Sequence, residues 1–386
     1  MNSDILSMAN AMENIMIKDR RYLHEHPELS FEEFETMDYI CKRLTEQHIP
    51  FQSGIVGTGV LAEVKGKGEG RCILIRADMD ALPIQEKNEL DFASKKPSVM
   101  HACGHDAHTA ILLSACCLLN TMKENFCGTV KFAFQPGEET RGGAKPMIDA
   151  GILENPRVDA CIALHVDTDI PVGKIKIQSG PVYASPDDFF ITIHGKGGHG
   201  AEPQSAIDPI LIASKIIVAL NEMPKPNRSV VTACSVHGGD ATNVIPDTTV
   251  ISGTARSLDH ETRVYLETEI ENIVKKIASA HGASYSYVFD KLFPPLINSA
   301  DIASMIEESA NYLLGEENCI TEGFPTMAGE DFSYFAMERP SAIFKLGCRN
   351  EAKGIIAPIH NSRFNIDEAA LKYGLAVFVK TVLRFL

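Results

Sequence analysis

Three short apolar runs that each deliver the chain into a cluster of acids or metal-competent side chains constrain this sequence most. Cys72 to Ala77 runs into Asp78-Met79-Asp80, Thr129 to Phe134 into Gln135-Pro136-Gly137-Glu138-Glu139, and Asp159 to Leu164 into His165. Together with Gly59 to Val64 these runs read as buried strands, and the helical stretch Ala107 to Met122 lies between the second and third of the four. Strands alternating with helices predict an α/β layer, a largely parallel sheet with helices on both faces. Ligands bind such open sheets at the carboxyl ends of the strands, which is where these clusters fall.

At 386 residues the chain is long for one domain, and a change of texture divides it. The first part carries apolar residues at helical spacing (Ile5, Met8, Met12, Ile15), and Ser30 followed by Glu33 looks like a capping box opening a second helix. Beyond Pro181 the order is strand Phe189 to His194, helix Pro209 to Glu222, strands Ser229 to His237 and Thr248 to Ser257, helix Glu261 to His281, and strand Ala283 to Phe289. That βαββαβ order is the ferredoxin-like pattern. The apolar α/β texture then resumes, with helix Ile302 to Leu314, strand Ala342 to Leu346 and a last helix Asp367 to Phe385. The expectation is a catalytic domain in two pieces, 1–183 and 296–386, interrupted by an inserted α+β lid or dimerisation domain, 184–295.

Composition excludes several classes of function. The formal net charge of −15 sets the surface field against phosphate backbones and anionic membranes, so no nucleic-acid or membrane partner is expected. No apolar run approaches the roughly 18 residues of a membrane span. The N-terminus places Asp4 and Glu13 early and its positive charges after the apolar residues, the reverse of a secretory signal. Ten cysteines are too few for a disulfide scaffold in a chain this long, which fits a cytoplasmic location.

Cys103 and His105, in the glycine-bearing loop of MHACGHDAH (Met100 to His108), can offer a thiolate and an imidazole to one ion; a buried thiol beside a solvated histidine is the plainer alternative. Adjacent Glu138 and Glu139 repel unless a cation or shared proton relieves them, and if one binds metal the other is free to move a proton; alone such a pair usually means a solvated loop, but its position after a buried strand counts against that. His165 by itself reads as a satisfied core histidine, and His360 by itself says nothing. Gly195-x-Gly197-x-x-Gly200 matches a dinucleotide fingerprint, the feature on which an NAD-dependent oxidoreductase would rest, but Ala201-Glu202-Pro203 follows where a helix should begin.

RADMDALPIQE (Arg76 to Glu86), MHACGHDAHTA (Met100 to Ala110), FQPGEETRGGAKPMIDAG (Phe134 to Gly151), ALHVD (Ala163 to Asp167), GKGGHGAEP (Gly195 to Pro203), NVIPD (Asn243 to Asp247), AGEDFSYF (Ala328 to Phe335) and the His360 segment occur in one order. With RRYLHEHPELSFEE (Arg20 to Glu33), this series resembles the binuclear-metal amidohydrolases of the aminoacylase and hippurate hydrolase type, which include plant hydrolases of auxin–amino acid conjugates. The resemblance implies two divalent ions (zinc, manganese, cobalt or nickel) held by Cys103, His105, Glu139, His165 and His360, with the Cys103 thiolate bridging. It implies that Glu138 is the general base and then the acid, and that Asp78 and Asp80 orient ligands, Asp78 standing where wider relatives carry a histidine ligand. In the inserted domain it implies that His199 reaches the scissile carbonyl, within its own subunit or across a homodimer, while Asn243 and Arg256 grip the substrate carboxylate. Gly200 after His199, where alanine is more usual, and Thr140 after the glutamate pair depart from the pattern without removing a reacting group. The implied substrate is an N-acyl amino acid, with a dipeptide cleaved by the same mechanism as the alternative.

Overall fold

The structure, a computed structural model, describes residues 5–323 and 325–386. It divides into two compact units: 5–180, 298–323 and 334–386 form the larger, and 181–297 with 325–333 the smaller. The smaller unit thus takes in 325–333, which the sequence reading placed with 296–386.

The larger unit is built on an eight-stranded sheet in the order Phe51–Ile55, Gly59–Lys65, Thr129–Gln135, Cys72–Asp78, Ala160–Pro171, Ser341–Arg349, Ile175–Lys176, Cys319–Ile320. Its four central strands, Thr129–Gln135 to Ser341–Arg349 in that order, run parallel, and an antiparallel hairpin, Phe51–Ile55 with Gly59–Lys65, borders them. All seven residues of Cys72–Asp78 are buried, as expected of a strand covered on both faces. Helix His105–Thr121 is buried without interruption from His105 to Leu119, because it lies between that strand and helices Glu13–Glu25 and Leu371–Phe385 and has no face left for water.

Three local expectations are corrected. The strand predicted to end at Leu164 continues to Pro171, carried on by its pairing with Ser341–Arg349, so His165 lies within a strand and not at its end. The N-terminal helical stretch is two helices, Ile5–Ala11 and Glu13–Glu25. Ser30 and Glu33 form no capping box: Ser30 Oγ donates to Asp80 Oδ2 (2.7 Å), while the Glu33 carboxylate accepts from Thr58 Oγ1 (2.6 Å) and the Gly137 N–H (2.9 Å). Helix Phe34–Glu46 is capped by Glu28, whose carboxylate takes the Glu35 and Thr36 N–H groups at 3.2 and 2.8 Å. Buried groups that water cannot reach have the stronger claim on Ser30 and Glu33 than a helix end does.

A buried ionic network ties helix Glu13–Glu25 to the start of helix His105–Thr121. Asp106 Oδ2 accepts from Arg20 Nε (3.0 Å) and His24 Nδ1 (2.8 Å), and His24 Nε2 lies 3.2 Å from Glu86 Oε1. Burial alone would push the His24 pKa down, but the hydrogen bonds to Asp106 and Glu86 outweigh it and raise it. A raised folded-state pKa gives stability that is complete below the unfolded value of about 6.5 and fades as pH climbs through the folded value. His24→Gln should therefore lower the melting temperature more at pH 6 than at pH 9; an equal loss at both would show that the imidazolium contributes nothing.

In the smaller unit the strands stand in the order Val230–His237, Thr248–Ser257, Ser185–His194, Ser284–Asp290, all antiparallel, with the βαββαβ connectivity read from the sequence. Phe189, Ile191 and Ile193 alternate onto one face and pack with Ile212, Ile216, Leu266, Ile270 and Val274 of helices Pro209–Glu222 and His260–Ala280. No helix starts at Gly200; only a single turn, Pro203–Ser205, precedes Pro209, so the dinucleotide fingerprint lacks the helix N-terminus it needs. Asp259 caps the longer helix by accepting the Thr262 N–H at 2.7 Å. Asp259→Ala should cost about 1 kcal/mol of stability in urea unfolding followed by circular dichroism.

Candidate metal centre

The parallel register assembles the candidate site in the larger unit. Asp78 ends its strand opposite Gln135, so the Pro136–Glu139 loop leaves the sheet beside it. On the other side Arg76 pairs with Ala163, which sets His165 level with Asp78 two residues further on. The Cys103 loop reaches the same place because Gly104 takes a left-handed turn (φ 90°, ψ 18°) as the cap of helix His105–Thr121. A Cβ at Gly104 would stand 2.3 Å from Val166 Cγ2, so only glycine fits and the residues either side are steered into one pocket. His360 arrives on a distant segment at φ 61°, a strained angle for a residue with a side chain, and its N–H donates to the Ala102 carbonyl at 2.7 Å.

Besides Asp78, His105 and His108, two groups of potential ligand atoms that share one residue result, each lying within 4.8 Å of one another: Cys103, His105 and His165, and Cys103, Glu139 and His360. Cys103 belongs to both. Glu138 shares a further such group with His105 and Glu139. Cys103 Sγ lies 3.4 Å from His165 Nε2, and Glu139 Oε1 lies 3.3 Å from His360 Nε2 and 3.9 Å from His105 Nε2. Each inner imidazole has its far nitrogen engaged: His105 Nδ1 faces Asp80 Oδ1 at 3.2 Å and His165 Nδ1 donates to the Val166 carbonyl at 2.7 Å. Both Nε2 atoms are thereby turned toward the thiol and the acids, the arrangement in which an outer partner orients a ligating imidazole. Asp80 also accepts the Glu139 N–H (3.0 Å), and Asp78 accepts from Arg76 Nη1 (2.7 Å).

The electrostatics call for a cation. Burial resists ionisation of Asp78 and Asp80, yet Arg76 and His105 hold the first, and His105 and the Glu139 N–H the second, below the usual carboxylate range. Burial also resists charging His105, but Asp78, Asp80 and Glu139 raise it to about 10. Burial, then Glu139, Glu138 and Asp78, pushes the Cys103 thiol well above its ordinary value. A thiol among acids loses its proton to a bound cation or keeps it. His105 Nε2 and Glu139 Oε1 are both buried without a well-directed hydrogen bond among the described residues. One sulfur, three imidazoles and a carboxylate, two of their atoms left without hydrogen bonds, fit a site for divalent metal.

Of the residues expected in the inserted domain, the structure brings two together. His199, in the two-residue strand Gly198–His199, pairs with Val244, and the Gly200 N–H donates to the Asn243 carbonyl at 2.8 Å. Arg256 pairs with Pro186 at one end of the Thr248–Ser257 strand, whereas Thr248, beside the Asp247 that binds the Gly195 and Gly197 N–H groups, pairs with His194 at the other. The rise of a strand puts those ends about 27 Å apart. Within the smaller unit Arg256 thus lies at the opposite end of Thr248–Ser257 from the residue that follows Asp247.

Residues 74–384 match the model of peptidase family M20/M25/M40. The chain belongs to this family. Thermostable carboxypeptidase 1 of Saccharolobus solfataricus is 36% identical to this M20/M25/M40 chain over 383 residues, 97% of it and 96% of the relative. IAA-amino acid hydrolase ILR1-like 4 of Arabidopsis thaliana is 37% identical over 390 residues, 99% of this chain and 88% of the relative. Among solved structures, a dinuclear metal-binding peptidase of Bacillus subtilis from the M20 family superposes with a TM-score of 0.87 at 36% identity, covering 97% of this chain and 98% of that one. As a member of family M20/M25/M40 the chain is a hydrolase of amide bonds.

Sequence reasoning passed over Ser30, Glu33 and His108, which all touch the site. His108 stands three residues after His105 on one helix, a spacing that puts both rings on the same face and is visible in the sequence. Ser30 and Glu33 left no such signal, since their partners lie at least 25 residues away. Replacing Gly104 by alanine should cost about 3 kcal/mol, from the left-handed angle and the Val166 clash, and should lower bound metal measured by atomic emission; a variant with full metal content would remove this turn from the assembly of the site.

Proposed function

We propose that the chain hydrolyses the amide bond of N-acyl amino acids, giving a carboxylic acid and a free amino acid, with two divalent ions held by Cys103, His105, Glu139, His165 and His360. The observation that carries this reading is the pair of ligand groups meeting at Cys103, with Glu138 beside them. Bound there, the ions would supply Lewis acidity for the amide carbonyl and lower the pKa of water. The thiol favours zinc, while the imidazoles and carboxylate also suit manganese, cobalt or nickel.

Glu138 is the proton carrier in this reading. It is nine-tenths buried and lies among the ligand atoms without being needed in either group of three that contains Cys103. Its carboxylate takes a proton from the attacking water and returns it to the departing nitrogen, a step the chemistry requires because an amide anion is a very poor leaving group. Asp80 holds the Glu139 N–H and so fixes the loop that carries both glutamates.

His199, Asn243 and Arg256 provide polarisation of the carbonyl and capture of the free carboxylate, for which the planar fork of arginine is suited. The roughly 27 Å along the strand between Arg256 and the His199 and Asn243 end supports a homodimer, since a single copy of the smaller unit cannot bring all three to one small molecule. A cytoplasmic location agrees with ten unpaired cysteines, and among the described residues no helix is long and apolar enough to cross a membrane.

The carboxypeptidase relative favours a second reading, cleavage of peptides by the same machinery. A carboxypeptidase and an amino acid conjugate hydrolase both release a free amino acid, so the readings differ in the acyl side. A panel of N-acetyl, N-benzoyl, N-indoleacetyl and N-aminoacyl amino acids, assayed after chelation and readdition of single metals, separates them: preference for simple acyl groups is expected, and turnover of peptides alone would replace this reading with the second. Glu138→Ala should lower kcat at least about 1000-fold with metal content nearly intact, while Cys103→Ser should lower metal content and rate together. Sedimentation should give twice the 42.2 kDa chain mass.

A further inference from the structure

We infer that His108, which is neither in the ligand set nor among the reacting groups, is a positioning residue that aims His165 at the thiol and ties it to the acid beside His105. The Val166 N–H donates to His108 Nε2 at 3.0 Å. A backbone N–H can only donate, so Nε2 carries a lone pair and the single ring proton sits on Nδ1, which faces Asp78 Oδ1 at 2.5 Å. Asp78 is held from its other oxygen by Arg76 Nη1 at 2.7 Å, and Arg76 Nε donates to Gln135 Oε1 at 2.9 Å. The same Asp78 oxygen lies 3.6 Å from His105 Nε2.

On its far side Val166 completes the chain of contacts. Its carbonyl accepts the His165 Nδ1–H at 2.7 Å, which leaves His165 Nε2 facing Cys103 Sγ at 3.4 Å. Strand Ala160–Pro171 stops pairing with Cys72–Asp78 after Ala163 and Arg76, and beyond that point His108 takes up the Val166 N–H. His108 is 1% exposed and one helical turn past His105, so it moves with the helix that carries one ligand while holding the strand that carries another. Two imidazoles from elements far apart in sequence are thereby kept in one mutual orientation.

This inference rests on the metal reading of the site, and the test separates the two. Glutamine at 108 can place an amide oxygen where Nε2 stands and keep the Val166 contact; asparagine reaches only as far as Asp78. The full-length protein and its His108→Ala, His108→Gln and His108→Asn variants are titrated with zinc against a chromophoric chelator, and the visible spectrum of each cobalt-loaded form is recorded. Affinity for zinc should fall about 10–100-fold in the alanine and asparagine variants and stay within about 3-fold in the glutamine variant, the range seen when the outer partners of metal ligands are lost. The cobalt spectrum should change in the asparagine variant and not in the glutamine variant. Asparagine binding as tightly as histidine, or glutamine losing as much as asparagine, overturns the inference. The asparagine–glutamine contrast stands even if the alanine variant fails to fold. A wild-type chain that binds no zinc would overturn the metal reading itself, a result distinct from either.

Discussion

Asp78 and Asp80 lie fully buried at the end of one strand, with the carboxyl groups of Glu138 and Glu139 on the neighbouring loop and the Cys103 thiol among them. A low-dielectric interior holds such a concentration of acids only where positive charge answers it. Arg76 answers part of it and draws the Asp78 pKa down, while the surrounding acids draw that of His105 up. The remaining acids and the thiol are what make this pocket a place for cations. The fold serves that end: parallel strands in register bring Asp78, Gln135 and His165 to one level, and a glycine turn brings Cys103 and His105 to meet them.

Much of this was legible because it is local. A buried parallel strand announces itself as an apolar run, and the polar residues that follow it must lie at the sheet's carboxyl edge. That logic located Asp78, Asp80, Glu138 and Glu139 without knowledge of which strands are neighbours, while it put His165 at a strand end that the structure carries on to Pro171. It could not reach His360, nearly two hundred residues beyond His165, whose N–H meets the carbonyl of Ala102. The ordered motifs supplied that residue where spacing could not.

Ser30 and Glu33 show the opposite failure. Their spacing is that of a capping box, but the tertiary structure gives both residues to the site, and Glu28 caps the helix from outside the motif. Local chemistry proposes a partner; burial decides between rivals. In the smaller unit the pattern of strands and helices was readable to within a few residues because each alternates cleanly, whereas the placing of Arg256 beside Pro186 follows only from how the strands pair.

The clasp between His360 and Ala102 has a consequence for biosynthesis. Cys103, His105 and His165 are made close together in the chain, whereas His360 follows His165 only after nearly two hundred further residues. A nascent chain therefore carries the thiol and two imidazoles long before the last donor is added, and a product that stopped between His165 and His360 would keep the first three and lack the fourth.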